Sequence, residues 1–130
     1  MPSSSRFVIL EHDHPILHWD FMLDIGGVLR SWRLSATPCT GEMIAEQLAD
    51  HRQAYLDYEG PVSGDRGAVK RWDRGTYRLE ADASDSLDMD IVGEKIQGRV
   101  RMTRVAATSW RVTWILDRLT TPPAPPRVPS

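Results

Sequence analysis

Sulfhydryl chemistry is almost missing from this chain: its 130 residues hold one cysteine, Cys39. An internal disulfide is therefore excluded, and so is a structural zinc site built from several thiolates. A single thiol suits a reducing, cytoplasmic compartment. Long apolar runs are missing too, none approaching the roughly 20 residues of a membrane-spanning helix. No apolar signal region stands behind Met1-Pro2-Ser3-Ser4-Ser5-Arg6, and no membrane partner is expected. A large charge of one sign is absent, since the formal net charge is −2. That balance argues against an indiscriminate coat protein for nucleic acid, which would be strongly basic. There is no internal repeat, and the length suits one hydrophobic core rather than two.

What is present reads as short strands. Arg6–Glu11 is β-branched and aromatic. His18–Ile25 and Val28–Leu34 follow, joined by Gly26-Gly27, a pair that tolerates the positive φ of a tight hairpin. Gly67–Trp72 and Thr76–Glu80 flank Asp73-Arg74-Gly75, which has the composition of a turn. Ile91–Val92, Ile96–Arg104 and Ser109–Leu116 complete the set. The fold class expected is all-β and mainly antiparallel, a compact barrel or sandwich with few short helices. Residues 1–5 read as a loose leader, 6–119 as the domain, and 120–130 as a disordered proline-rich tail. Gly41–His51 stands apart, because local propensity favours a helix with Ile44 and Leu48 four residues apart.

Charge is unevenly distributed. Arg66, Lys70, Arg71, Arg74 and Arg78 form one basic stretch, and Lys95, Arg99, Arg101 and Arg104 form another. Glu80, Asp82, Asp85, Asp88 and Asp90 lie between them. Solvated strands flanking an acidic loop are the default expectation, and a basic strip that meets phosphate is the sharper one, resting on Arg71 and Arg74.

The stretch Glu11-His12-Asp13-His14-Pro15-Ile16-Leu17-His18-Trp19-Asp20-Phe21-Met22 carries the chemistry. Residues two apart in a strand share a face, so His18 and Asp20 project together while Trp19 and Phe21 turn to the other side. If the short link through Pro15 folds the chain back antiparallel, His12 arrives about 5 Å away on that same face. Two imidazoles and a carboxylate with open positions suit manganese, iron(II) or zinc, and not calcium. The plainer alternative is a set of polar turn residues, and His14 fits it.

Several blocks, in order, resemble the 3′-phosphoesterase module of bacterial DNA ligase D. They are Phe7-Val8-Ile9-Leu10-Glu11-His12-Asp13, Leu17-His18-Trp19-Asp20-Phe21, Val28-Leu29-Arg30-Ser31-Trp32, Asp50-His51 with Tyr55 and Glu59-Gly60, Trp72-Asp73-Arg74-Gly75-Thr76-Tyr77, and Gly93-Glu94-Lys95-Ile96-Gln97-Gly98-Arg99. The resemblance implies a compact β-barrel that trims ribonucleotides and removes phosphates at 3′ ends, using manganese. It implies metal ligands His12, His18 and Asp20, with His51 and Tyr55 as a catalytic pair that contacts the scissile phosphate. Manganese is thus the expected cofactor, with zinc or another transition metal also compatible. Partners would be the 3′ ends of nucleic acid, together with repair ligase or polymerase proteins. The resemblance also implies a strand at about Ile44–Asp50, against local propensity.

The chain departs from the family pattern in ways that bear on activity. Only five residues precede Arg6, so the family's N-terminal arm, with its further active-site residues, is expected to be missing. Leu10 stands where glutamine is usual and Met22 where arginine is usual, both on the ligand face by strand parity, unless Met22 fills a core gap. The glycine loop after Gly60 is shorter. Slow or lost turnover is therefore expected; robust turnover would instead point to Arg30 or Arg33 as the group that grips the phosphate. A degenerate module that binds DNA ends or a repair partner is the alternative. An iron(II) oxygenase, with His51 replacing His12 at the metal, is a third.

Overall fold

The computed structural model describes residues 5–120. The calls on the leader and on the proline-rich tail lie almost wholly outside them. Nine strands form in chain order: β1 (Ser5–His12), β2 (His18–Ile25), β3 (Val28–Leu34), β4 (Gly41–His51), β5 (Gly60–Pro61), β6 (Ala68–Ala83), β7 (Ser86–Gly93), β8 (Ile96–Ala106) and β9 (Ser109–Leu119). One 3₁₀ turn, Gln53–Leu56, lies between β4 and β5. Among the described residues no helix is long and apolar enough to cross a membrane.

All pairings are antiparallel, and the order β1-β2-β3-β4-β9-β8-β7-β6 closes on itself through β1–β6. The eight-stranded closed barrel is the fold class expected from the strand pattern. Closure removes the exposed edges that an open sheet of this size would present. Strand β5 pairs with the first residues of β6, beyond the end of β7.

Alternation along the strands fills the barrel. Phe7, Ile9, Phe21, Leu23, Trp32, Leu34, Val100, Met102, Trp110, Val112 and Trp114 make one buried cluster. The large rings pack edge to face or tilted, as Trp32 with Trp110 at 5.6 Å and Phe21 with Trp114 at 5.3 Å. A second, smaller cluster lies on the outer wall: Val8, Leu10, Met22, Leu29, Leu56 and Val69. Strands β1 and β2 are thus buried on both faces, one toward the barrel interior and one beneath the segment that holds the 3₁₀ turn and β5.

Strand β4 forms over Gly41–His51 despite its helical propensity. It is the link between β3 and β9 that the ring requires. A backbone ladder on both edges outweighs a per-residue preference of less than about 1 kcal/mol. Ala45 is buried inside, and Gln47 accepts a hydrogen bond from the Trp110 indole at 3.0 Å.

Two expectations are corrected. Asp73-Arg74-Gly75 is not a turn but the middle of β6, which runs unbroken from Ala68 to Ala83. Asp73 is 1% exposed and accepts hydrogen bonds from the backbone N–H groups of Arg74, Glu94, Lys95 and Ile96 at 2.8–3.0 Å. Its carboxylate thereby holds the β7–β8 turn, the role that gives it a turn-like composition within a strand. Gly75 is needed because a Cβ there would collide with the carbonyl of Val92. The acidic run is likewise not a loop. Asp88 and Asp90 lie on β7 opposite Arg101 and Arg99 of β8, and Arg78 pairs with Glu80 and Asp90. Most of the second basic stretch is therefore matched by its own carboxylates.

Two outcomes follow for stability. Asp73→Ala leaves several buried N–H groups without acceptors, at roughly 1–3 kcal/mol for each unsatisfied group, so a loss of at least about 3 kcal/mol is expected in urea melts. Tyr77 is 4% exposed and donates to the Asp24 carbonyl at 2.6 Å. Burial holds its phenol pKa above the ordinary value. Folding thus favours the protonated form, and this contribution is intact below about pH 10 and declines as pH rises through the folded value. Melts from pH 8 to 11 on wild type and Tyr77→Phe should show a weaker alkaline decline in the variant.

Candidate metal centre

The hairpin of β1 and β2 places the central residues. His12 sits directly opposite His18, and Leu10 opposite Asp20. The three side chains share the outer face above the smaller apolar cluster, where His18 is 5% and Asp20 3% exposed. One ligand atom from each of His12, His18 and Asp20 can be chosen so that all lie within 4.8 Å of one another.

Proton bookkeeping shows what this arrangement needs. His12 Nε2 lies 2.8 Å from the Arg66 carbonyl, and His18 Nδ1 lies 2.8 Å from the Ile16 carbonyl. A carbonyl only accepts, so these two nitrogens carry protons and donate. In neutral rings, His12 Nδ1 and His18 Nε2 then present lone pairs. They face Asp20 at 3.4 and 3.0 Å. Buried Asp20 Oδ1 has no hydrogen-bond donor. Lone pairs confronting a carboxylate at this distance repel unless an electrophile lies among them, either added protons or a cation. Carbonyls that fix the remote nitrogen of each ring are the usual support of metal-binding histidines. The donor set fits a divalent transition metal with open positions.

The surrounding cleft, about 360 Å³, is lined by His12, Asp20, Met22, Arg33, His51 and Tyr55 among others. His51 ends β4 and Tyr55 sits on the 3₁₀ turn, their rings 5.6 Å apart and nearly perpendicular. Nδ1 of His51 is buried and without a partner. His51 thus lines the same cleft and is no member of the His12–His18–Asp20 group. His14 also lines the cleft, outside the cluster.

Met22 meets both of its alternatives. It lines the cleft beside Asp20, and at 1% exposure it also packs with Leu10, Leu29 and Val69 in the smaller cluster. Leu10 is fully buried in that cluster. Of the basic stretch expected to meet phosphate, Arg66 lines the cleft, while Arg71 and Arg74 each lie near a carboxylate. Arg71 faces Glu59 at 3.7 Å and Arg74 faces Glu94 at 3.8 Å.

Arg33 carries a signal of its own. The Gly26-Gly27 turn sets Ile25 against Val28, and counting along the ladder sets Asp20 against Arg33. The position is legible once that turn is accepted. Among the described residues no carboxylate lies within ion-pair distance of Arg33, and its Nε is buried without a partner. The Arg66 carbonyl that orients His12 had no signal in the sequence, since backbone groups are alike in every residue.

Residues 10–104 match the family model described as the DNA Ligase D 3'-phosphoesterase domain. A multifunctional non-homologous end joining protein LigD of Pseudomonas aeruginosa is 33% identical over 122 residues, covering 85% of this chain and 14% of that protein. A multifunctional non-homologous end joining DNA repair protein LigD of Mycobacterium tuberculosis is 33% identical over 116 residues, covering 82% of this chain and 15% of that protein. A LigD protein of Mycolicibacterium smegmatis is 29% identical over 125 residues, 83% of this chain and 16% of its own length. The chain thus spans only a small part of the relatives it matches. His12, His18, Asp20, His51 and Tyr55 all lie within the matched span, residues 10–104.

The double role of Met22 predicts the cost of restoring a cation there. Met22→Arg places a longer, charged side chain in a packed floor, and about 1–3 kcal/mol of stability should be lost. A denaturant midpoint that does not move would show that the side chain escapes into the cleft.

Proposed function

Because the chain belongs to the DNA ligase D 3′-phosphoesterase domain family, we propose that it hydrolyses phosphate esters at the 3′ ends of nucleic acid during DNA end repair. The observation that carries this reading is the confrontation of two imidazole lone pairs with the Asp20 carboxylate on the floor of a cleft. His12 Nδ1, His18 Nε2 and Asp20 would hold one divalent cation, with manganese first in expectation. When bound, such an ion supplies Lewis-acid polarisation of a phosphoryl oxygen.

The chain's own residues do the rest. Arg33 offers a planar, unpaired cation to the phosphate oxygens. His51 and Tyr55, which line the same cleft, donate hydrogen bonds to phosphate oxygens as negative charge grows on them. Met22, Val62 and Val69 add apolar surface to the lining of the cleft. In the reaction, water attacks phosphorus, the bond from phosphorus to the 3′ oxygen breaks, and that oxygen takes a proton. The products are a 3′-hydroxyl end and inorganic phosphate. Removal of a 3′ ribonucleotide follows the same chemistry at a phosphodiester.

A binding module without turnover is the second reading. It is favoured by Met22, a thioether that can donate no hydrogen bond to an oxyanion. Loss of one such donor costs on the order of 10²–10³ in rate, so slow turnover is the expected result.

The deciding assay is release of phosphate from a 3′-phosphorylated primer–template, with manganese and with EDTA. Turnover should need the metal, and His18→Ala should lower it at least about 100-fold, beyond the loss of a mere supporting contact. No turnover in excess manganese, with end binding retained, would establish the second reading. Turnover that survives EDTA would remove the metal assignment.

A further inference from the structure

A larger cleft, about 610 Å³, lies next to the metal centre and is lined by Pro15, Ile16, Leu17, His18, Arg33, Ile44 and others. Pro15 and Arg33 line both clefts, so the two adjoin at these side chains. The character of the lining changes over that boundary. On the metal side it is histidine, carboxylate and phenol. On the far side Ile16 is 77%, Leu17 50% and Ile44 56% exposed. These are large apolar side chains left in water in a barrel that has ample interior for such groups. Exposed apolar surface gathered beside a polar site marks a surface that a ligand covers. The rim is polar, with Ser35, Glu46, Thr108 and Ser109.

We propose that this cleft is a nucleoside subsite: it takes the terminal base and sugar of the strand whose 3′ phosphate lies at the metal centre, with Arg33 at the junction. The inference rests on the phosphoesterase reading for the phosphate and goes beyond it for the base. Charge complementarity selects the occupant. A nucleotide has an anionic group joined to a flat apolar one, and the lining repeats that order, a cation unpaired by any described carboxylate and then an aliphatic surface. A base has an apolar face whatever its identity, so an aliphatic wall without an array of directed donors predicts binding indifferent to sequence. A wholly apolar occupant would cover the half-buried Arg33 without offering its charge an anion.

The experiment is equilibrium binding by fluorescence anisotropy, which needs no turnover. The probes are a duplex with a 3′-phosphorylated overhang and, as competitor, inorganic phosphate. Ile16 and Ile44 are more than half exposed, so Ile16→Ser/Ile44→Ser should fold normally. The double variant should bind the overhang about 10-fold more weakly, the scale of one lost base contact, while competition by phosphate stays unchanged. Arg33→Ala should weaken both. Changing the terminal base among the four should alter affinity by less than about 3-fold, in line with a surface that reads no base edges.

Wild-type affinity in the double variant would overturn the subsite, as would equal weakening toward free phosphate. A change confined to self-association in sedimentation would also overturn it and assign the cleft to a second copy of the chain. The two readings fail separately. Absent turnover with binding that responds to Ile16 and Ile44 removes the catalytic reading and keeps the subsite. Normal turnover with binding that ignores both removes only the subsite.

Discussion

Strand β1 is paired along both edges, with β2 on one side and β6 on the other, and this double pairing organises the molecule. It closes the barrel, so the large aromatic core has no open side. It also brings β6 beside the strand that carries His12, since Val69 lies opposite it. The pairing contains a bulge between Ile9 and Leu10, where the partner shifts from Asp73 to Arg71. In a regular strand Asp73 and Arg71 would share a face. Residues directly opposite one another share a face, so the bulge sends Asp73 with Ile9 toward the interior and Arg71 with Leu10 outward. One extra residue thus separates a structural carboxylate from a surface cation.

The same economy governs the metal centre. Its three side chains come from one hairpin, but the orientation of each ring comes from backbone carbonyls. The Ile16 carbonyl is local to the hairpin, and the Arg66 carbonyl arrives from the segment leading into β6. Ligand identity is therefore local, while the lone-pair direction of His12 is tertiary. Folding of the barrel brings these three side chains within 4.8 Å of one another.

Charge on the surface is mostly handled by pairing. Cross-strand pairs of Asp88 and Asp90 with Arg99 and Arg101 occupy the β7–β8 face. Exposed pairs of this kind contribute at most about 1 kcal/mol each, but they also cancel the field that a basic strip would project. Arg33 stands in contrast, between Asp20 and Glu46 on the neighbouring strands but, among the described residues, in ion-pair contact with neither.

By itself the sequence determined the all-β class, through short β-branched and aromatic runs broken by glycine turns. It also determined the His12–His18–Asp20 group, because a strand period of two and a short hairpin leave those side chains few other places to go. Gly26-Gly27 fixed the register that sets Arg33 against Asp20. Only the tertiary structure decided the rest. It made Gly41–His51 a strand, because closing the ring supplies two ladders that local propensity cannot foresee. It turned Asp73-Arg74-Gly75 from an apparent turn into a strand, because the groups that Asp73 satisfies lie some twenty positions away on another turn. It buried Met22 and Leu10 beneath the site, because parity tells which face a residue takes but not what covers that face. Contacts that depend on chain distance of a few residues are written in the pattern, and contacts made by closing a barrel are not.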